Sequence, residues 1–218
     1  MTPSLPERLK TETQALHTAA ERSVFIGELL RGRMQRSAYC ELLDNLHAIY
    51  AALEPALERH AAHPCIAPIV IPALWRTATL EHDLQCLRGS DKAQPIHLQD
   101  ATRAYVDRLH ELDASRPELL LAHAYVRYLG DLSGGQILSK IVAKSFGPSE
   151  KSGDKCVAFY DFGDTLRTRE LIREFRTGLD AVTLDREGED AMVTEAIAAF
   201  QLHRQLFDEL AQACGLEA

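Results

Sequence analysis

Tyr128-Leu-Gly-Asp-Leu-Ser-Gly-Gly-Gln136 lies between LLLAHAYVR and ILSKIVAKSF, two runs that read as strong helix. A glycine inside a helix costs about 1 kcal/mol relative to alanine. Gly130, Gly134 and Gly135 together therefore weaken a continuous helix here by about 3 kcal/mol. At about 100° per residue, Gly130, Gly134 and Arg127 fall on one side, with Asp131 beside Arg127. Tyr125, Leu129 and Leu132 fall opposite, on the expected core side. A helix face without side chains lets a flat group approach the backbone closely. Close helix–helix packing, or a hinge between two helices, is the alternative use of such glycines. Arg127 and Asp131 at the rim argue against a packing groove, because charged groups resist dry burial.

Working outward, apolar residues recur at three- and four-residue spacing in almost every segment. Ser4 and Glu7 form a capping box opening a first helix, roughly residues 5 to 22. A second helix runs from about Ser37 to His60, with Pro55 expected to kink or restart it. The prolines of CIAPIVIPALW demote its APIVIP segment, the best strand candidate, to loop. A third helix starts near Pro72 and stops before Gly89. A fourth spans about Leu98 to Asp113. The fifth, which carries the glycines, starts at Pro117 and ends near Gly147 and Pro148. The polar loop SEKSGDKCVAFYDFGD follows, then helices from about Thr165 and about Glu187. No internal repeat or low-complexity tract appears. The expectation is one all-α domain over residues 1–218.

The chain has 218 residues, 46% of them hydrophobic, and a formal net charge of -8. That length supports one substantial core. The acidic balance argues against a nucleic-acid partner, which requires a basic face. No run approaches the roughly 18 apolar residues of a membrane span, and no secretory signal layout opens the chain. The chain ends after an amphipathic helix, so no membrane anchor and a cytoplasmic location are expected. Cys40, Cys65, Cys86, Cys156 and Cys214 are scattered and odd in number, and are read as reduced thiols.

Nine histidines raise the question of metal ligation. His47 and His110 follow Asp44 and Asp107 by three residues, a spacing found in di-iron bundles. Asp44, Asp107 and His110 project away from their apolar stripes, and no Glu-x-x-His occurs, so these residues are read as solvated surface. His17, His123 and His203 remain. His17 flanks the apolar stripe of its helix, on one face with Lys10, and Glu21 lies one turn later. A carboxylate there can fix the imidazole tautomer, as ligating histidines require. Each of the three could equally be a hydrogen-bonded, half-buried histidine, and periodicity does not choose between His17 and His123.

LHTAAE around His17, LHAIYAALE around Tyr50 and the fifteen residues AHAYVRYLGDLSGGQ, Ala122 to Gln136, together resemble the heme oxygenases. The likeness runs from about Leu9 to Leu210 and is to a bacterial-type member without the membrane-anchoring tail. It implies an all-α fold holding heme between a proximal helix and a kinked distal helix. It implies His17 as iron ligand, with Glu21 behind it. Gly130 and Gly134 would then bring distal backbone close to the ring. Asp131 matches an aspartate that holds an ordered water near bound dioxygen, and Tyr50 and Arg127 match partners in that water network. Lys10 matches a contact to the heme propionates. RTRELIREFR matches the helix supplying others, Arg169 and Arg173 first, with Arg176 nearby if the register shifts by a turn. Tyr125 and Phe200 match residues at the heme edge. His203 departs from the family pattern, standing where some relatives carry asparagine. The implied reaction uses O2 and electrons from an external donor, a ferredoxin or a flavoprotein reductase, to convert heme to biliverdin, carbon monoxide and ferrous iron. Heme is both cofactor and substrate. A non-catalytic heme carrier or sensor on the same fold is the alternative.

Overall fold

Ser4 and Pro6 start the first helix as their side chains dictate. Pro6 occupies the first turn, and the Ser4 backbone N–H donates to Glu7 Oε2 at 2.8 Å. The computed structural model describes residues 3–89, 96–146 and 156–216. Among the described residues the α-helices are α1 (Leu5–Glu21), α2 (Val24–Leu30), α3 (Arg36–Arg59), α4 (Thr77–Arg88), α5 (Asp100–Ser115), α6 (Leu120–Phe146), α7 (Thr165–Asp180) and α8 (Arg186–Ala213). No strand occurs among them. The proline-bearing segment forms two short 3-10 turns, Ala67–Ile69 and Pro72–Leu74. The start expected at Pro72 resolves into the second of these turns followed by α4. The start expected at Pro117 likewise resolves into the turn Pro117–Leu119 followed by α6. Gly147 and Pro148, and residues 149–155 of the polar loop, lie outside the described residues.

The short α2 was not anticipated. Its seven residues are too few for periodicity to register, and its start is marked by Ser23, whose hydroxyl accepts from Ile26 N. Pro55 does not interrupt α3. Ala51 and Pro55 both lie on its exposed face, so the carbonyl that loses its donor faces water.

α8 is the organising element. α1, α2, α5 and α6 all pack on it, and α3 adds α4, α5 and α6 around its own long axis. The buried apolar side chains join in one cluster. Arg8, buried in α1, pairs with Glu189 at 3.3 Å and Asp190 at 2.7 Å on α8. That clamp fixes α1 against the helix it must face.

Two sequence readings are corrected. Asp44 is buried under α4, where Arg88 pairs with it; one helix's periodicity cannot report an arginine reaching across from another. Asp107 and His110 are exposed as expected. The five cysteines are not all free thiols: Cys86 and Cys156 form a disulfide across 70 residues, with Cα atoms 5.6 Å apart. Asp83 brings the two together. Its carboxylate accepts from Ala158 N and Phe159 N, both at 2.8 Å, seating the loop at the end of α4. Cys40, Cys65 and Cys214 are free.

α7 rests on the turn Ala67–Ile69 through Gly178, where an added Cβ would stand 2.1 Å from the Pro68 carbonyl oxygen. That oxygen belongs to backbone and cannot swing away. Gly178→Ala is expected to destabilise the fold by about 1–3 kcal/mol, as overpacking does. Denaturant unfolding should show a lower midpoint at unchanged slope.

Candidate functional site

α6 runs unbroken from Leu120 to Phe146, so the glycines are not a hinge between two helices. They divide by function within it. An added Cβ on Gly130 or Gly134 would meet nothing within 4 Å, whereas one on Gly135 would lie 3.2 Å from Tyr160 Cδ1. Gly135 is therefore a packing glycine. Gly130 and Gly134 are bare backbone facing open space.

That space is a cleft in two lobes. The outer lobe, about 410 Å³, is lined by Lys10, His17, Tyr125, Leu129, Arg176 and Phe200 among others. The inner lobe, about 270 Å³, is lined by Leu29, Leu42, Leu46, Phe159, Phe207 and further apolar groups. His17, Val126, Gly130, Ser133 and Phe200 border both lobes, so the two are one continuous slot. α1 supplies one wall and α6 the other. The mouth carries Lys10 and Arg176 together with Glu7 and Asp180, and the inside is mainly apolar. That suits a flat molecule whose charges sit along one edge.

His17 is half-exposed on the α1 wall. Its Nδ1 lies 3.7 Å from Glu21 Oε2, beyond hydrogen-bond reach, and its ring stands edge-on to Phe200 with centroids 5.9 Å apart. His123, the rival that periodicity left open, borders neither lobe. It is fully buried, and its Nε2 is bonded to Glu195 Oε1 at 3.0 Å. Arg108 pairs with the same carboxylate; against the cost of burial, the two partners hold Glu195 down to about 2. Among the candidate histidines, only His17 and His203 reach the slot.

Beneath the glycine face lies a buried polar knot. The Tyr50 hydroxyl donates to Asp131 Oδ2. Arg127 donates through Nη2 to Asp131 Oδ1 at 2.9 Å and through Nε to the Tyr50 hydroxyl at 3.2 Å. Its Nη1 lies 2.9 Å and 3.2 Å from Nε2 and Nδ1 of His203. Burial opposes the Arg127 charge, but Asp131 and Tyr50 outweigh it and keep the guanidinium firmly protonated. Burial pushes the Asp131 carboxyl above the usual aspartate range despite Arg127 and Tyr50. Asp131 is thus a better proton acceptor than a surface aspartate. It borders the inner lobe, as do Arg127 and His203.

Two sequence expectations move. Tyr125 and Leu129 are not on the core side of α6; both are half-buried and line the mouth of the slot. Arg127 and Asp131, expected at a rim, are buried at 5% and 9% exposure. A helix packed by neighbours on several sides has no single core face for a wheel to find. On α7, Arg176 lines the slot mouth beside Lys10. Arg173 lies in a separate groove with Pro68 and Glu170, and Arg169 is exposed and borders neither lobe. Phe159 and Tyr160, which wall the inner lobe, were not anticipated; only the aromatic cluster in VAFYDF hinted at them.

The fold and the slot define a helical protein with a cleft between His17 on α1 and the bare backbone of Gly130 and Gly134 on α6. The family profile described as heme oxygenase matches residues 3–209. Heme oxygenase 1 of Nostoc sp. is 38% identical over 210 residues, 96% of this chain and 87% of that protein. The heme oxygenase-1 structure from the cyanobacterium Synechocystis, in complex with heme, has a TM-score of 0.86 at 34% identity, covering 98% of this chain and 97% of that one. The Leptospira interrogans heme oxygenase structure has the same TM-score and identity, covering 95% of this chain and all of that one. The chain belongs to the heme oxygenase family.

Proposed function

We propose that heme enters the slot edge-first and lies between α1 and α6, with His17 as iron ligand and its propionates at Lys10 and Arg176. The protein is an enzyme of heme degradation, cleaving heme with O2 and reducing equivalents to biliverdin, carbon monoxide and ferrous iron. The observation that carries the binding reading is the open space over Gly130 and Gly134, in one cavity with His17. Any side chain at those two positions would fill the space the ring needs.

Heme, the substrate, supplies the iron that binds and activates dioxygen. The chain's own residues do the rest. Glu21 lies on the Nδ1 side of His17, which leaves Nε2 for the iron. The glycine backbone sets a low ceiling over the ring. Asp131, held by Arg127 and Tyr50, orients a water and passes a proton beside the distal face. Lys10 and Arg176 fix the rotation of the ring in its plane, and hence which edge meets the oxygen. Tyr125 and Phe200 bound the ring near the mouth. A carrier needs no buried Arg127–Asp131–Tyr50 knot, which favours turnover over storage.

We take residues 1–218 as one domain acting in the cytoplasm, where a ferredoxin or a flavoprotein reductase supplies electrons. Among the described residues no helix is long and apolar enough to cross a membrane. The direct test is hemin with reductant in air. Loss of the heme band with appearance of biliverdin is the expected outcome; a stable heme spectrum would mean a carrier.

A further inference from the structure

We propose that Cys86 and Cys156 form a reversible thiol–disulfide exchange site, acted on by a dithiol reductant, whose state sets how firmly one wall of the slot is held. The effect on a bound ring rests on the reading of the slot as the heme site; the exchange site itself does not. The bond closes the entry of the loop that carries Phe159 and Tyr160. Both of these residues line the inner lobe. Tyr160 also fills the space beside Gly135. Disulfides are rare in a reducing compartment, and those found there are mostly exchanged in use rather than structural. The fold makes this one dispensable for folding, because the same loop has two other fastenings. Asp83 accepts from Ala158 N and Phe159 N. Arg76 donates to Phe159 O at 3.2 Å and Asp161 O at 3.0 Å, and its guanidinium lies 4.0 Å over the Phe162 ring.

Those bonds grip residues 158–162, downstream of the disulfide. Cys156 has φ 50°, in the left-handed region that a residue with a side chain rarely occupies. Freed from Cys86, it returns to ordinary backbone and Val157 moves with it. Val157 packs against the core, and its carbonyl accepts from Tyr160 N at 3.1 Å. The shift therefore reaches the aromatic wall. Cys156 is buried at 3% exposure and Cys86 is half-buried, so the incoming thiolate attacks Cys86 Sγ. The S–S bond breaks, and Cys156 leaves as a thiolate that takes a proton from water. The reductant's second thiolate then attacks the reductant sulfur of the mixed disulfide. Cys86 leaves and is protonated in turn. The reductant ends as a disulfide, and two electrons have passed to the cysteine pair. A low-molecular-weight disulfide reverses the exchange.

The test compares the air-oxidised chain with the same chain treated with dithiothreitol, and with Cys86→Ser and Cys156→Ser. Before reduction, thiol titration in denaturant should find only Cys40, Cys65 and Cys214 reactive, with Cys86 and Cys156 in one linked peptide. The next readout is amide hydrogen exchange in the ligand-free protein. On reduction the Tyr160 amide should exchange about 10-fold faster, while the Ala158 and Phe159 amides held by Asp83 stay slow. The last is release of zinc protoporphyrin, whose metal undergoes no redox chemistry with thiols. Release should be about 5-fold faster from the reduced chain and from both serine variants, which dithiothreitol should leave unchanged. Reaction of all five cysteines in the oxidised sample overturns the proposal. So does reduction that unfolds the chain, since the bond is then structural. Unchanged Tyr160 exchange, or unchanged release from a chain that binds the porphyrin, overturns it as well. Faster exchange with no porphyrin binding in either form sinks the reading of the slot and leaves the exchange site standing.

Discussion

His17→Ala is expected to fold like the wild type and to lose at least about 100-fold in biliverdin formation. The side chain is 39% exposed and its neighbour Glu21 is 66% exposed. A pair that exposed contributes little to stability, so the melting temperature should stay within a few degrees. Hemin should still enter, because the apolar inner lobe and the cations at the mouth remain. What disappears is the axial nitrogen that leaves one iron face open for oxygen. The heme spectrum should change, and added imidazole should restore part of both spectrum and turnover. A wild-type spectrum in this variant would transfer the ligand elsewhere. His123 is not available for that role, since it is sealed against Glu195, and His203 would then be the residue to test.

Asp131→Ala should separate binding from chemistry. Hemin affinity should change by less than about 3-fold, because Asp131 lies under the bare face rather than at the mouth. Biliverdin formation should fall about 100-fold or more, the scale on which a positioned proton donor acts. Heme should still be consumed slowly by unproductive oxidation, visible as loss of the heme band without bile pigment. Stability should also drop, because Arg127 and Tyr50 each lose a buried partner. Removing one member of such a pair costs about 1–3 kcal/mol, or roughly 5 °C in melting temperature for a chain of this length. Water entering the neighbouring cavity keeps the cost at that level. Asp131→Asn, which retains an acceptor for Arg127, should recover most of the stability and little of the activity. Wild-type ring opening in either variant would refute the role given to Asp131.

Local geometry made part of this site legible in advance. Arg127 and Asp131 are four residues apart on one helix, and their pairing follows from helical repeat alone. The proximity of His17 to Glu21 follows from the same repeat. The all-α class was equally plain, because the three- and four-residue spacing persists through most of the chain. Boundaries held to within a few residues where a cap or a proline marks them, and α2 escaped because it offers only about two turns of pattern.

What the amino-acid order determined by itself was therefore the set of relations contained within one helix: its period, its caps, and which side chains stand one turn apart. What only the tertiary structure decided was how helices meet. Tyr50 reaches Asp131 across 81 residues, and His203 reaches Arg127 across 76. Arg176 rather than Arg169 or Arg173 arrives at the mouth because of how α7 leans on the Pro68 turn through Gly178. Cys86 finds Cys156 because Asp83 draws the loop onto α4. Helical repeat acts over a few residues, whereas these meetings depend on packing summed over the whole core, and no single segment carries that information.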